Sequence, residues 1–299
     1  MHTISDILKT AAGLGSGKIA VAAAHDENVL QAVLAAQQQG IATAILVGHE
    51  TEIRQMLTAM HAPEDAFEII PAESAEECAQ KAVGCVSEGR ANFLMKGLLG
   101  TADLMRAVLR PEAALRTGRL LSHVMLYEPA GHKMLALTDG GMNTFPTLEQ
   151  KAEILENAAR TLHAMGYETI QAACICGAEV VNPKIASTTD AQALCQMQER
   201  WAPYHMNVYG PVGLDLAVSP DACRHKHYAV PGAGEADILL VPTYEVGNAL
   251  GKTLSIFAGA KNAGIIVGAK APIVLVSRSD SAETKLASIA FGAVVAGKI

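Results

Sequence analysis

Short apolar runs alternate with longer amphipathic segments along the first third of the chain. KIAVAAA (18–24), TAILVG (43–48), FEIIPA (67–72) and NFLMKG (92–97) have the composition of buried strands, and segments with helical spacing lie between them. This strand–helix–strand rhythm predicts an α/β fold, in which mostly parallel sheets carry helices on both faces.

A second series of apolar runs begins near residue 120. Its members are LLSHVMLYEP, HKMLALTDGG, TIQAACICGA, ADILLVPTY, AGIIVGA and PIVLVS. A chain of 299 residues is long enough for two domains. The break in rhythm, without any linker-like composition, is the only sequence sign of a boundary between them.

One helix can be predicted in detail. Thr147 is an N-cap candidate, and Gln150 follows at the spacing of a capping box. An apolar stripe recurs at steps of three and four residues from Leu148 to Met165. Gly166 then suits the left-handed position that ends a helix.

Composition excludes several classes of function. Half of the residues are apolar, 18% are charged and the net charge is −7, so a strongly basic face for nucleic acid is not expected. No apolar run reaches the roughly 18 residues of a membrane helix. The first residues do not resemble a secretory signal. We therefore expect a cytoplasmic protein without a membrane or nucleic-acid partner.

The cysteines and histidines do not form a metal-binding pattern. None of the six cysteines lies in a CxxC motif, so we expect small buried thiols in a reduced compartment. His225 and His227 flank Lys226 without a third ligand at a suitable spacing, and we expect no metal site.

The segment GNALGKT (247–253) resembles a phosphate-binding P-loop but has only three residues between its glycines, where that motif needs four. The segment GLGSGKIAV near the N-terminus precedes a strand instead of a helix. Neither segment predicts nucleotide hydrolysis.

The segment APIVLVSRSDSAETKL (271–286) is a stronger candidate. An apolar strand is expected to end at Val276, and one of Ser279, Asp280 or Ser281 is expected to cap the following helix. That role does not explain Arg278, because a cation opposes the dipole at a helix N-terminus. An anion bound there, beyond the end of a parallel strand, would explain it.

The segment KGLLGTADLMRAVL (96–109) also follows a strand and begins a helix near Thr101. Lys96, Thr101 and Arg106 can form a second anion-binding strand end, and an ordinary solvated helix start is the alternative. Polar residues at other strand ends are interpreted singly as turn or cap residues, namely Asp139, Asn182, Asp215, Glu245 and Asn248.

Together these segments resemble the phosphate acyltransferase family of phosphotransacetylases and phosphotransbutyrylases. The resemblance rests on MKGLLGTADLMRAVL, RTGRLLSHVMLYEP, LTDGGMNTFPTLEQKAEILENA, EVVNPKIASTTDA, GPVGLDLA, GEADILLVPTYEVGNALGK and AGIIVGAKAPIVLVSRSDSAETKLASIA, over about residues 93 to 295. It is closer to the butyryl branch. It implies two three-layer α/β domains of the isocitrate/isopropylmalate dehydrogenase-like type, with the active site in the cleft between them. Their limits would be 1–121 plus 272–299, and 122–271.

The resemblance also implies a reaction, in which acyl-CoA and phosphate give acyl phosphate and CoA by direct transfer in a ternary complex. Coenzyme A would be a substrate, and no bound cofactor is expected. Ser277 would donate to the thiol sulfur or the carbonyl, and Arg278 would hold the phosphate and the developing charge. Arg106 and Thr101 would bind phosphate or substrate. A homodimer or larger homo-oligomer is implied.

The general base is the weak point of the resemblance. The acetyl branch has an Asp seven residues after the Ser, where this chain has Thr284. Glu283 is the first alternative base and Asp280 the second, and a pocket that favours thiolate would need neither. Two other functions stay open: an acyl-CoA- or phosphate-binding regulator without turnover, and an oxidoreductase on the same fold, although the chain has no GxGxxG.

Overall fold

The structure is a computed structural model that describes residues 1–15, 17–277 and 279–298. The chain divides into two compact units. The split unit comprises residues 3–119 and 262–299, and the central unit comprises residues 120–261 with the first two residues. The domain limits inferred from the resemblance stay a prediction.

The elements are numbered along the chain. The strands are β1 (Gly17–Ala22), β2 (Ala42–Gly48), β3 (Glu68–Pro71), β4 (Phe93–Lys96), β5 (Ser122–Glu128), β6 (Leu135–Thr138), β7 (Ile170–Ile175), β8 (Met206–Val212), β9 (Ile238–Leu240), β10 (Lys261–Val267) and β11 (Ile273–Val274). The helices are α1 (Ile4–Gly13), α2 (Glu27–Gln38), α3 (Glu50–Ala59), α4 (Ala75–Ser87), α5 (Thr101–Val108), α6 (Leu148–Ala164), α7 (Ala186–Gln196), α8 (Gln198–Trp201), α9 (Leu214–Val218), α10 (Pro220–His225), α11 (Tyr244–Ile256) and α12 (Ala282–Ala296). Short 3₁₀ turns cover Pro111–Ala113 and Ala202–Tyr204.

The sheet of the split unit has the strand order β3-β2-β1-β4-β11-β10. All neighbouring pairs are parallel except β10 and β11. Four successive residues of β1, Ile19 to Ala22, are buried. Such a continuous apolar run is typical of a parallel strand that is covered on both faces.

The sheet of the central unit has the order β5-β6-β9-β7-β8, and only β5 and β6 run antiparallel. Its core contains Leu137, Ala173, Tyr209 and Leu239, which come from four of these strands. Both units therefore confirm the predicted class, a mostly parallel α/β fold, and add one antiparallel pair to each sheet.

The predicted helix after Thr147 is present as α6. The Thr147 side chain accepts from the Gln150 N–H at 3.3 Å, and the Gln150 side chain accepts from the Thr147 N–H at 2.9 Å. Gly166 follows with φ +89°, in the left-handed region. The capping box and the terminating glycine are confirmed.

The strand predicted to reach Val276 is shorter than expected. β11 is limited to Ile273 and Val274, although Leu275 and Val276 are also buried. Apolar composition indicates burial, but it does not indicate where ladder pairing stops. Among the described residues, no helix combines the length and the apolar character that a bilayer crossing requires.

Candidate active site at the strand ends of the split unit

The two predicted anion-binding segments follow neighbouring strands. β4 and β11 are parallel, with Leu94 opposite Ile273 and Met95 opposite Val274. Their carboxyl ends therefore meet at the same edge of the sheet, where ligands bind in parallel α/β folds. Residues that are remote in the sequence become neighbours at this edge.

The turn after β4 approaches the end of β1 closely. The Gly97 N–H donates to Ala22 O and the Leu98 N–H donates to Ala23 O, both at 2.8 Å. A Cβ added to Gly97 would lie 2.2 Å from Ala23 O, so only glycine fits at this position. These contacts hold the segment that contains Lys96 and Thr101 against the end of β1.

The turn after β11 is held by Asp280. Asp280 Oδ2 accepts from the Ser277 N–H at 2.8 Å, and the Asp280 N–H donates to Ser277 O at 3.1 Å. The exposed Ser277 has its Oγ 3.0 Å from Ser279 Oγ. Ser277 therefore carries its exposed hydroxyl on a turn that is closed by two hydrogen bonds between its backbone and Asp280.

Ser281 is the N-cap of α12, which resolves the three alternatives left by the sequence. Its Oγ accepts from the Thr284 N–H at 3.2 Å. Glu283 is exposed in the first turn of the helix, and Thr284 is half-buried. The proposed base, Glu283, stays a prediction. Arg278 lies outside the described residues, and its role also stays a prediction.

Thr101 is the first residue of α5, as predicted, and Gly100 is the N-cap. Arg106 lies in the last turn of this helix, where its Nη1 is 2.9 Å from Asp103 Oδ1. The Arg106 side chain is 63% exposed. Exposed ion pairs of this kind contribute little to stability, so Arg106 can exchange Asp103 for a ligand at small cost. The binding roles of Thr101 and Arg106 stay predictions.

Two lysines are buried near the carboxyl ends of β4 and β11, Lys96 as the last residue of β4 and Lys285 in α12. Lys96, a sequence candidate, donates from Nζ to Gly97 O at 3.2 Å and to Leu99 O at 3.1 Å. Lys285 in α12 is 2% exposed, and its Nζ donates to Asp280 O at 2.5 Å. Sequence reasoning missed Lys285. The signal that could have found it is similar to the one that drew attention to Arg278 in the sequence, a cation close to an expected helix N-terminus.

A histidine pair follows β1 and β2. The rings of His25 and His49 stack with centroids 4.1 Å apart and planes 2° apart. Burial, and then the neighbouring His49, lower the pKa of His25 below its usual value. The carboxylate of Glu52 and the carbonyl of Glu73 raise the pKa of His49. No sequence motif predicted this pair.

Asp139 of the central unit has a structural role. Asp139 is 2% exposed and accepts hydrogen bonds from the backbone N–H groups of Gly141 and Met142, each at 2.8 Å. Its interpretation as a turn residue is correct. The GNALGKT segment lies inside α11, so it does not form a phosphate-binding loop.

The described ranges contain no group of three or more His, Cys, Asp or Glu side chains that could hold a metal ion. The chemistry available at the β4 and β11 ends is instead a hydroxyl, carboxylates, buried ammonium groups and the N-terminus of a 15-residue helix. Such a set suits an anionic ligand.

The chain is similar to known proteins in both sequence and structure. The family model described as phosphate acetyl/butaryl transferase matches residues 3–83 and 73–293. A phosphate butyryltransferase from Clostridium acetobutylicum is 46% identical over 94% of this chain and 93% of its own length. A phosphate acetyltransferase from Thermotoga maritima is 40% identical over 98% of this chain and 99% of its own. The crystal structure of a branched-chain phosphotransacylase from Enterococcus faecalis matches with a TM-score of 0.84 and 34% identity, covering 93% of this chain and 98% of that one.

Proposed function

Because the chain belongs to the phosphate acetyl/butaryl transferase family, we propose that it transfers a short-chain acyl group reversibly between coenzyme A and phosphate. The observation that carries the proposal is the parallel pairing of β4 with β11, which brings two anion-suited segments to one sheet edge. Coenzyme A is a substrate in this reaction.

The proposed phosphate site consists of two arginines and a threonine hydroxyl. Arg278 precedes α12, and a guanidinium next to a helix N-terminus offers paired donors to a doubly charged oxyanion. Arg106 supplies a second guanidinium once it leaves Asp103, and Thr101 supplies a hydroxyl at the start of α5. These groups bind phosphate and orient it as a nucleophile.

The acyl transfer needs no covalent enzyme intermediate. A phosphate oxygen attacks the thioester carbonyl, the tetrahedral intermediate collapses, and the carbon–sulfur bond breaks to release CoA thiolate. Ser277 Oγ is proposed to donate to the carbonyl oxygen or to the departing sulfur. Preorganised donors at such positions are a main source of catalysis in acyl transfer.

In the reverse direction a base must take the thiol proton, because an unperturbed thiol has a pKa of about 8.5. Glu283 is proposed for this role, since Asp280 already accepts the Ser277 N–H. A Glu283→Gln variant should then lose more activity in acyl-CoA formation than an Asp280→Asn variant, because Asn keeps an oxygen acceptor for that N–H.

The test is the release of free thiol from butyryl-CoA and acetyl-CoA in the presence of phosphate. We expect thiol release that depends on phosphate, and an Arg278→Ala variant should raise the KM for phosphate by about 10-fold to 100-fold, as expected for a lost charged hydrogen bond. Lys9→Met, at an exposed site on α1, is the control. Folded protein that releases no thiol from any short acyl-CoA would overturn the proposal. Calorimetric binding without release would favour a regulator.

The acyl chain length follows from the same assay. The butyryl and acetyl relatives are 46% and 40% identical, so identity alone does not separate the two substrates. We propose preference for the butyryl chain on the sequence resemblance, and the ratio of kcat/KM for the two thioesters decides it. We also propose a homo-oligomer, which sedimentation would test.

A further inference from the structure

Lys285 is a buried cation at an unusual place. It is the fourth residue of α12 and its side chain lies on the buried face of the helix, with 2% of the residue exposed. Within the described ranges no carboxylate oxygen lies within 4.0 Å of its Nζ, and the acceptor that the structure gives it is the Asp280 carbonyl.

This position does not favour a lysine on grounds of stability. Removing an ammonium group from water is costly, and an apolar side chain of similar volume is often as stable or more stable at a buried site. The positive N-terminal end of α12 also disfavours a cation. Stability therefore does not explain why a lysine occupies this position, and the residue that its hydrogen bond holds in place offers another explanation.

The bonds from Lys285 form a short chain to Ser277. Lys285 Nζ donates to the Asp280 carbonyl, and the Asp280 carboxylate accepts from the Ser277 N–H at 2.8 Å. The Asp280 N–H in turn donates to Ser277 O at 3.1 Å. One buried ammonium group thus anchors the residue that closes the Ser277 turn from both sides.

We propose that Lys285 is a positioning residue for acyl transfer, and that it acts by fixing Asp280 and through it the Ser277 turn. The expected effect on the reaction rate rests on the proposed function. Ser277 and Ser279 are exposed, and exposed polar residues have few packing contacts to limit their motion, so the buried donor below Asp280 is proposed to supply that limit. Small misplacements of a reacting group can lower the rate by about 100-fold.

The variant that tests this is Lys285→Met, which removes the charge and keeps the volume. We expect kcat/KM to fall by roughly 10-fold to 100-fold on the misplacement argument, without a lower unfolding midpoint. Lys9→Met is the matched control and should change neither quantity. Asp280→Ala breaks the next link in the chain and should reproduce the kinetic loss if Lys285→Met does not fold.

A double-mutant cycle with Ser277→Ala separates positioning from a general structural role. If Lys285 acts through Ser277, its replacement in the Ser277→Ala background should lower kcat/KM by less than about 3-fold, because coupled residues are not additive. An equal loss in both backgrounds would overturn the proposal, and so would full activity of Lys285→Met.

Hydrogen exchange provides a readout that does not need activity. Peptides spanning 275–281 should take up deuterium faster in Lys285→Met than in the parent protein, whereas peptides spanning 42–48 in β2 should not change. Unchanged exchange at 275–281 would refute the anchoring itself. An inactive parent protein with faster exchange in the variant would instead refute only the acyl-transfer function.

Discussion

At the scale of single residues, His49 shows how two acceptors can fix the charge of an imidazole. Its Nδ1 lies 3.0 Å from Glu52 Oε1, and its Nε2 lies 3.1 Å from Glu73 O. A neutral imidazole has one N–H donor, and only the imidazolium can donate to both partners. The geometry therefore agrees with the raised pKa of His49.

The Glu52 hydrogen bond, the largest cause of this raised pKa, predicts a pH dependence. A raised folded-state pKa stabilises the fold below the unfolded value of about 6.5, and this contribution disappears as pH rises through the folded value. Glu52→Gln should lower the pKa of His49 and reduce stability by a few tenths of a kcal/mol in acid, as expected for a partly exposed pair.

The measurement is an NMR titration of the imidazoles together with urea unfolding on both sides of the transition. Glu64→Gln, at an exposed position in the loop after α3, is the control. A His49 titration that does not move in Glu52→Gln would contradict the assignment. His25 should titrate at lower pH than His49 in the parent protein, because burial lowers its pKa.

Residue-level prediction from the sequence failed where burial and polarity disagree. In α12, Leu286 is only half-buried, whereas the neighbouring Lys285 is almost completely buried. Sequence periodicity assigns the buried face of a helix from its apolar residues. It therefore cannot recognise a lysine that is buried and donates to a backbone carbonyl.

At the scale of elements, the Thr147 capping box allows a quantitative prediction. Thr147→Ala removes the acceptor for the Gln150 N–H and should destabilise the protein by about 1 kcal/mol, within the range of roughly 0.5–2 kcal/mol for lost N-caps. Urea unfolding would measure the loss, and Thr51→Ala, at an exposed position in α3, is the control. Equal stability of the two variants would show that the cap contributes nothing.

Local signals explain why this helix was predictable and β11 was not. A capping box, an apolar stripe and a terminal glycine all lie within the helix or next to it. β11 has two paired residues and partners on both sides, antiparallel β10 and parallel β4. Its partners are chosen by packing across the whole unit, and no short stretch of sequence contains that information.

At the scale of the whole molecule, the class of fold and the two segments of the candidate site could be predicted from the sequence. It could not show that these segments are neighbours, because Met95 and Val274 meet only through a strand order that returns the end of the chain beside β4. Topology of this kind is decided by nonlocal contacts. The resemblance indicated which reaction to expect. The parallel pairing of β4 with β11 explains how residues from the two segments can act on the same ligand.

The six thiols give a prediction for the molecule as a whole. Five are buried and Cys195 is partly buried. Burial raises the pKa of every one of them, that of Cys195 to about 11. Near pH 8 a thiol of that pKa is about 0.1% thiolate, whereas an unperturbed thiol is about one quarter thiolate.

Because the thiolate is the reactive form, the native protein should react with an aromatic disulfide reagent at least about 100-fold more slowly than free CoA. Full reaction of six thiols is expected only in denaturant, and mass spectrometry should find Cys195 modified first. A native thiol that reacts as fast as CoA would contradict the burial of the six cysteines. If so, the colour that the disulfide reagent forms in the acyl-transfer assay measures released CoA, because the cysteines of the enzyme react too slowly to contribute.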